Sequence, residues 1–290
     1  MRWAILFLSG LVWACMPQTG REPDLAAAMS AARAGNSEPA AALTVTADDV
    51  PEIAAYLRDS DEPVRREAVM LLARAGGQTG CSALAEALTD HSAGIRERAA
   101  RAMREVCSAE TLEAAPDLGV ALRESVRMGN TSAAALLLLG RVRDGENAAF
   151  LESLLAAETP AVKLEAWHQP VPQALPAAVA AANAGSTAGR ERLTKGLEGI
   201  EEAEFLASVL GDIADTAALG SLLPLLVDER AVFASVPSGA QPQRRICDLA
   251  ADGFVKRLGL NPFPPRPSDR YTADEIALVK KLAAAALAKE

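Results

Sequence analysis

The apolar positions between Ile53 and Met103 are written twice. Ile53, Leu57, Val64, Ala68 and Leu72 are followed by Leu84, Leu88, Ile95, Ala99 and Met103, every pair separated by 31 residues, and Asp59 and Arg65 recur at the same offset as Asp90 and Arg96. Within each copy the apolar residues keep helical spacing in two runs. Ile53, Tyr56 and Leu57 form one stripe, the polar turn Asp59-Ser60-Asp61-Glu62 interrupts it, and Pro63 stands where a second helix can start without needing its N–H. Val64, Ala68, Leu71 and Leu72 form the second stripe. Two short amphipathic helices cannot cover their own apolar faces, so each pair must stack on the next. The pattern therefore predicts antiparallel pairs, helix A followed by helix B, in an all-α solenoid.

The same pattern returns late in the chain. Leu210, Leu222, Leu226 and Asp228 lie 138 residues after Leu72, Leu84, Leu88 and Asp90, and Ile246, Ala250 and Phe254 take the places of Val64, Ala68 and Leu72 in a last helix B. Between Leu112 and Ile200 the units are degenerate. LGVALRE with TSAAALLLLG reads as one pair, FLESLLAAETPAVKLEAW as another with Thr159 a cap and Pro160 at a helix start, and the segment from Ala174 to Ile213 as a further pair. The total is about six pairs. AALTVTADDV is the one short β-branched run and reads as the lead-in to the first repeat. At the far end, GLNPFPPRPSDRY is too rich in proline to be helical and should run extended. Thr272 and Glu275 then stand at capping-box spacing before Ile276, Val279 and Leu282, so a capping helix is expected from Thr272 to Glu290.

The aspartate closing helix A (Asp59, Asp90), the Val-Arg or Ile-Arg opening helix B (Val64-Arg65, Ile95-Arg96) and the alanine beyond (Ala68, Ala99) resemble bacterial HEAT-type repeats, including the HEAT-like repeats of phycobilin lyases. The resemblance implies a HEAT-type α-solenoid in which such Asp–Arg pairs run as a ladder between stacked repeats, a structural use for Arg65 and Arg96. It brings no catalytic residue with it.

Composition changes the picture at two points. Half of the residues are apolar but only 4% are aromatic, which fits a core of Ala and Leu at close helix spacing. Arg65, Arg66, Arg96, Arg98, Arg101 and Arg104 make the first two B helices locally basic, but a net charge of −9 argues against nucleic acid as a partner.

The first residues say where the chain should work. Arg2 precedes the apolar run WAILFLSGLVWAC, too short to span a bilayer and suited to the hydrophobic region of a secretory signal. Val12-Trp13-Ala14 before Cys15 resembles a bacterial lipobox, departing from it in Val12 and Trp13, so Cys15 is a candidate lipidation site. Ordinary signal cleavage is the alternative. The expected organisation is a signal peptide over 1–14, a tether and short helix over 15–47, the repeat solenoid over 48–260, and a proline-rich linker with its capping helix over 261–290. An exported protein is expected, in the periplasm or membrane-anchored, with the outer membrane preferred because Met16 and Pro17 carry no acidic retention signal.

Candidate chemistry is sparse. His91 lies in an A-to-B turn, and Glu165 with His168 supplies at most two metal ligands. The pairs Asp212 with Asp215 and Asp248 with Asp252 read as solvated helix faces rather than acid–base machinery. The sequence predicts no catalytic residue, metal site or cofactor. The expected function is a non-enzymatic protein-interaction or scaffold module of the cell envelope, with a protein or peptide partner and a membrane contact through a lipid on Cys15. The alternative is an enzyme or enzyme accessory with a site around Trp167 and His168.

Two local features complete the reading. Cys81 opens the second helix A and Cys107 ends its helix B, so an antiparallel pair can bring them together as a disulfide, or leave them as two buried thiols. From Leu226 to Ile246 the step is longer by about thirteen residues than the early repeats require. That insertion carries Phe233, Arg244 and Arg245, which either contact the partner or belong to a loop folded over the last repeat.

Overall fold

The computed structural model describes residues 24–113, 117–129, 132–142, 144–156, 161–162, 170–232, 243–263 and 270–289. Cys15, Trp167, His168, Phe233 and most of the proline-rich linker lie outside them.

Two helices, α1 (Leu25–Arg33) and α2 (Glu38–Ala42), precede the first repeat. Asp24 caps α1 by accepting from the Ala27 N–H. The first pair is α3 (Val50–Ala55), prolonged by a 3-10 turn at Tyr56–Arg58, with α4 (Glu62–Ala75). Gly76 then takes φ 61°, a backbone region that favours glycine, and lets the chain reverse at once into the next helix. The second pair is α5 (Gly77–Ala87) with α6 (Ala93–Val106), so Cys81 sits in the second turn of α5 rather than at its start. A short α7 (Ala109–Glu113) leads to the third pair, α8 (Leu118–Arg127) and α9 (Ala133–Arg141). The fourth is α10 (Gly145–Leu155) with α11 (Ala174–Asn183), and the fifth is α12 (Thr187–Lys195) with α13 (Ile200–Ser208) and a 3-10 turn at Leu210–Asp212. The sixth joins α14 (Thr216–Ser221) and a 3-10 stretch at Leu223–Val227 to α15 (Ile246–Arg257), and α16 (Ala273–Leu287) closes the stack.

The architecture is the expected all-α solenoid of six pairs. A helices pack in series, α3 on α5, α8, α10, α12, α14 and finally α16, while the B helices run α4, α6, α9, α11 and again α13, α15. The repeated positions Ile53, Val64, Ala68, Leu72, Leu84, Leu88, Ile95, Ala99 and Met103 are all buried, as are Leu210, Leu222, Leu226, Ile246, Ala250 and Phe254 in the late repeat. Thr272 and Glu275 form the anticipated capping box on α16, with Ile276 and Val279 buried.

The middle is partitioned differently from the sequence pattern. Thr159 and Pro160 lie outside the described residues, and the described residues that follow them form no helix before Ala174. Instead β1 (Ala161–Val162) pairs antiparallel with β2 (Val171–Pro172), Val162 opposite Val171. Pro172 drives Val171 away from helical angles, and burial of Val162 and Val171 holds the two short strands together. The partner of α10 is therefore α11, reached through this hairpin. In α11 every residue from Ala174 to Ala182 is buried, and with α9 it supplies side chains to both of the molecule's hydrophobic clusters. Close approach makes that possible: a Cβ on Gly140 of α9 would lie 2.4 Å from Ala180 Cα, and one on Gly189 of α12 would lie 2.7 Å from Ala182 N.

Candidate functional site

A stack of helix pairs has two edges, one made of A-to-B turns and one of B-to-A turns, and here arginines cross-link both. Along the A-to-B edge runs a ladder of arginines. Arg65, with 2% of its side chain exposed, donates from Nε to Asp90 Oδ2 of the next repeat at 2.7 Å and from Nη1 to the carbonyls of Asp59 and Ser60 at 3.0 and 3.1 Å. Arg96 repeats the inner contacts, Nη1 donating to the carbonyls of Asp90 and His91 at 2.7 and 3.1 Å, but its outer donor goes to the Met128 carbonyl at 2.8 Å. Arg33 supplies the rung below, 2.6 Å from Asp59 and 2.7 Å from Asp61. His91 is an exposed member of the same rung, its Nε2 accepting from Arg65 Nη2 at 2.8 Å. The remaining basic residues of the first two B helices are engaged as well: Arg66 with Glu62, Arg101 with Glu97, and Arg98 beside the Met70 sulfur.

The sixth A-to-B turn is the insertion. Its stem is pinned by backbone hydrogen bonds from Val232 N to Arg244 O, from Ile246 N to Arg230 O and from Cys247 N to Asp228 O, each 2.9 Å. Arg244 and Arg245, read from the sequence either as partner contacts or as part of a loop folded over the last repeat, are turned inward. Arg244 Nη2 donates to Asp252 Oδ2 at 2.6 Å and to the Asp248 carbonyl at 2.9 Å; Arg245 Nη2 donates to Asp248 Oδ1 at 3.0 Å and to the Tyr271 carbonyl at 2.8 Å. Their side chains are only 12% and 15% exposed, and the Arg245 guanidinium supplies the cation without which the fully buried Asp248 carboxylate would stand uncompensated. The stem is thus a structural element, and Phe233 lies outside the described residues.

The acidic pairs also depart from the solvated faces expected of them. Burial pushes the Asp248 carboxyl up, but hydrogen bonds from the Arg245 guanidinium and from the N–H groups of Arg245 and Tyr271 outweigh it and hold the group below the usual carboxylate range. Asp252 accepts from the Tyr271 hydroxyl at 2.6 Å. Asp215 pairs with Arg190 at 3.1 Å and caps α14 through the Ala218 N–H. Asp212 is bound by Arg104 at 2.6 Å. Tyr271, Arg190 and Arg104 lie too far away in sequence to be visible as motifs, whereas Arg245 stands only three residues before Asp248. The Cys247 thiol beside Asp248 is buried and pushed up to about 11 by that burial, which leaves it poorly reactive.

The B-to-A edge is tied shut by donors aimed at helix C-termini, where carbonyls lack intrahelical partners. Arg74 donates to the carbonyls of Ala40 and Leu43, Arg141 to those of Arg104 and Cys107, and Arg257 to those of Ile213 and Ala214. Asn183 donates to the Asp212 carbonyl and accepts from the Ala214 N–H. Burial lowers the pKa of Arg141, with Asp212 opposing and Arg104 reinforcing the shift. Cys81 and Cys107 meet on this edge as a disulfide, their Cα atoms 5.9 Å apart. Arg104 belongs to the second pair and Asp212 to the end of the fifth, so their ion pair skips two repeats and marks how tightly this edge curls.

On the A-to-B edge, both long connections, residues 156–173 and 228–245, leave from its turns, and Met128 and Val227 stand there 41% and 59% exposed. Among the described residues no group of three or more His, Cys, Asp and Glu side chains is arranged to hold a metal ion, and no helix is long and apolar enough to cross a membrane.

No curated protein matches the chain. Among solved structures, human deoxyhypusine hydroxylase in complex with glycerol is similar at 16% identity, over 84% of this chain and 97% of that one, with a TM-score of 0.31. Residues 50–128, from the start of α3 to the end of α8, match the family of HEAT repeats.

Proposed function

We propose that the chain is a non-enzymatic interaction module of the bacterial cell envelope that offers its A-to-B edge to a protein or peptide. The observation that carries this reading is the asymmetry of the two edges. Arginines hold the stack together along both edges, but both long connections leave from the A-to-B edge, where Met128 and Val227 are more exposed than Val106 on the other. Per-repeat insertions on one face of a solenoid commonly form its binding face. Export is supported by the Cys81–Cys107 disulfide, a bond that persists in oxidising compartments, and by the apolar run ahead of Cys15.

The test is site-specific photo-crosslinking in the native envelope. A photoreactive residue at Met128 or at Val227 is expected to capture the same protein, and one at Val106, exposed at the end of α6 on the opposite edge, is expected to capture none. Equal capture from Val106 would overturn the assignment of the edge. In the same cells, Cys15→Ser is expected to release the protein from the membrane fraction; unchanged fractionation would remove the lipid anchor and leave the interaction reading intact.

A further inference from the structure

On the B-to-A edge a covalent bond is connected to a long-range ion pair through one turn of helix. Cys107 is the C-cap of α6, and its sulfur is bonded to Cys81 of α5. The Cys107 carbonyl and the Arg104 carbonyl both accept from the Arg141 guanidinium at 2.8 Å. The Arg104 side chain extends from this same turn to Asp212, 108 residues away in sequence, at 2.6 Å from Nη2 and 3.2 Å from Nε. Both side chains are largely buried, 17% and 12% exposed. A pair in that setting depends on geometry far more than a solvated one does. The position of the last turn of α6 therefore decides whether the second repeat is fastened to the fifth. That turn ends its helix and would fray without support. The disulfide and Arg141 support it from outside the helix, beside the packing of Met103 in the core.

We infer that the Cys81–Cys107 bond is a redox-sensitive latch on the curl of the solenoid. In the oxidised chain the bond fixes the last turn of α6 and keeps Arg104 within reach of Asp212. In the reduced chain that turn loosens, Arg104 leaves Asp212, and the second repeat is free to move away from the fifth. The chemistry requires a dithiol reductant of the thiol–disulfide oxidoreductase class. Its first thiolate attacks one cysteine sulfur and expels the other as a thiolate, which takes up a proton; its second thiol then resolves the mixed disulfide, leaving two cysteine thiols and an oxidised reductant. Cys81 and Cys107 are 3% and 4% exposed, so exchange needs a local opening of the α5–α6 corner.

Hydrogen exchange on the full chain, oxidised and after dithiothreitol treatment verified by the gain of alkylatable thiols, tests the latch. Reduction is expected to speed exchange at residues 209–213 by about tenfold or more, the mark of a local opening, along with residues 104–107, while α15 and α16 stay protected. Cys81→Ser with Cys107→Ser should behave as the reduced chain. Arg104→Ala, with the disulfide intact, should open 209–213 without exposing α5. Unchanged exchange at 209–213 after reduction overturns the coupling, and loss of protection throughout the chain overturns the latch in favour of a plain structural staple.

Discussion

Arg65 shows what a single residue contributes when its surroundings are complete. Its guanidinium is out of water, yet each of its nitrogens meets an acceptor, from the Asp90 carboxylate to the carbonyls of Asp59 and Ser60. Arg58 makes the same type of ion pair with Glu86 at 2.6 Å, but with 78% of its side chain exposed. Burial separates the two. Arg65→Ala strands the nearly buried Asp90 without its cation and is expected to cost about 3–5 kcal/mol, while Arg58→Ala should change stability by less than about 1 kcal/mol. Chemical denaturation of the two variants checks this, and similar losses would mean that the ladder owes nothing to its burial. The ladder was expected through the resemblance to HEAT-type repeats, which Asp59, Arg65, Asp90 and Arg96 carry by repeating at one offset. The inward turn of Arg244 and Arg245 was not legible, since their partners Asp248, Asp252 and Tyr271 share no offset with another repeat and the pair of cations looks the same whether it faces in or out.

At the scale of the element, α11 is the helix on which the middle of the molecule turns. It is built of small residues, ALPAAVAAAN, and is covered by α9, α10 and α12. Gly140 and Gly189 are the places where its neighbours come closest, and neither has room for a methyl group against the α11 backbone. Gly140→Ala is expected to push α9 from α11 and to destabilise by about 1–3 kcal/mol, even though alanine is the better helix former by about 1 kcal/mol. A thermal melt that rises for Gly140→Ala would show that the contact yields freely. The sequence pattern located α11 but assigned it the wrong companion. Apolar spacing reveals that a helix is buried without saying by what, and the β1–β2 hairpin that redirects it depends on a two-residue strand around Val171, too short to carry a period.

At the scale of the whole molecule, the last repeat and its cap are held by a group that titrates. Tyr271, just before α16, gives its N–H to Asp248 and its hydroxyl to Asp252. Because the Asp248 carboxyl is held below its ordinary value in the folded chain, its contribution is complete above the unfolded carboxylate pKa of about 3.9 and fades as the pH falls through the lowered folded value. The stability gap between the native chain and Asp248→Asn is accordingly expected to be wide at neutral pH and to close in acid; a gap that stays constant in urea titrations across that range would remove the ionised carboxylate from the account. The ladder at the other end has a different character after its second rung. Where Arg65 meets the carboxylate of Asp90, Arg96 meets the main-chain carbonyl of Met128, and residue 128 is also where the match to HEAT repeats stops. A carboxylate can be lost by one substitution. A carbonyl is supplied by whatever amino acid occupies the position, so this rung is indifferent to the identity of residue 128. The third repeat can therefore change its side chain at this joint without letting go of the second, a freedom that the carboxylate rung before it does not have.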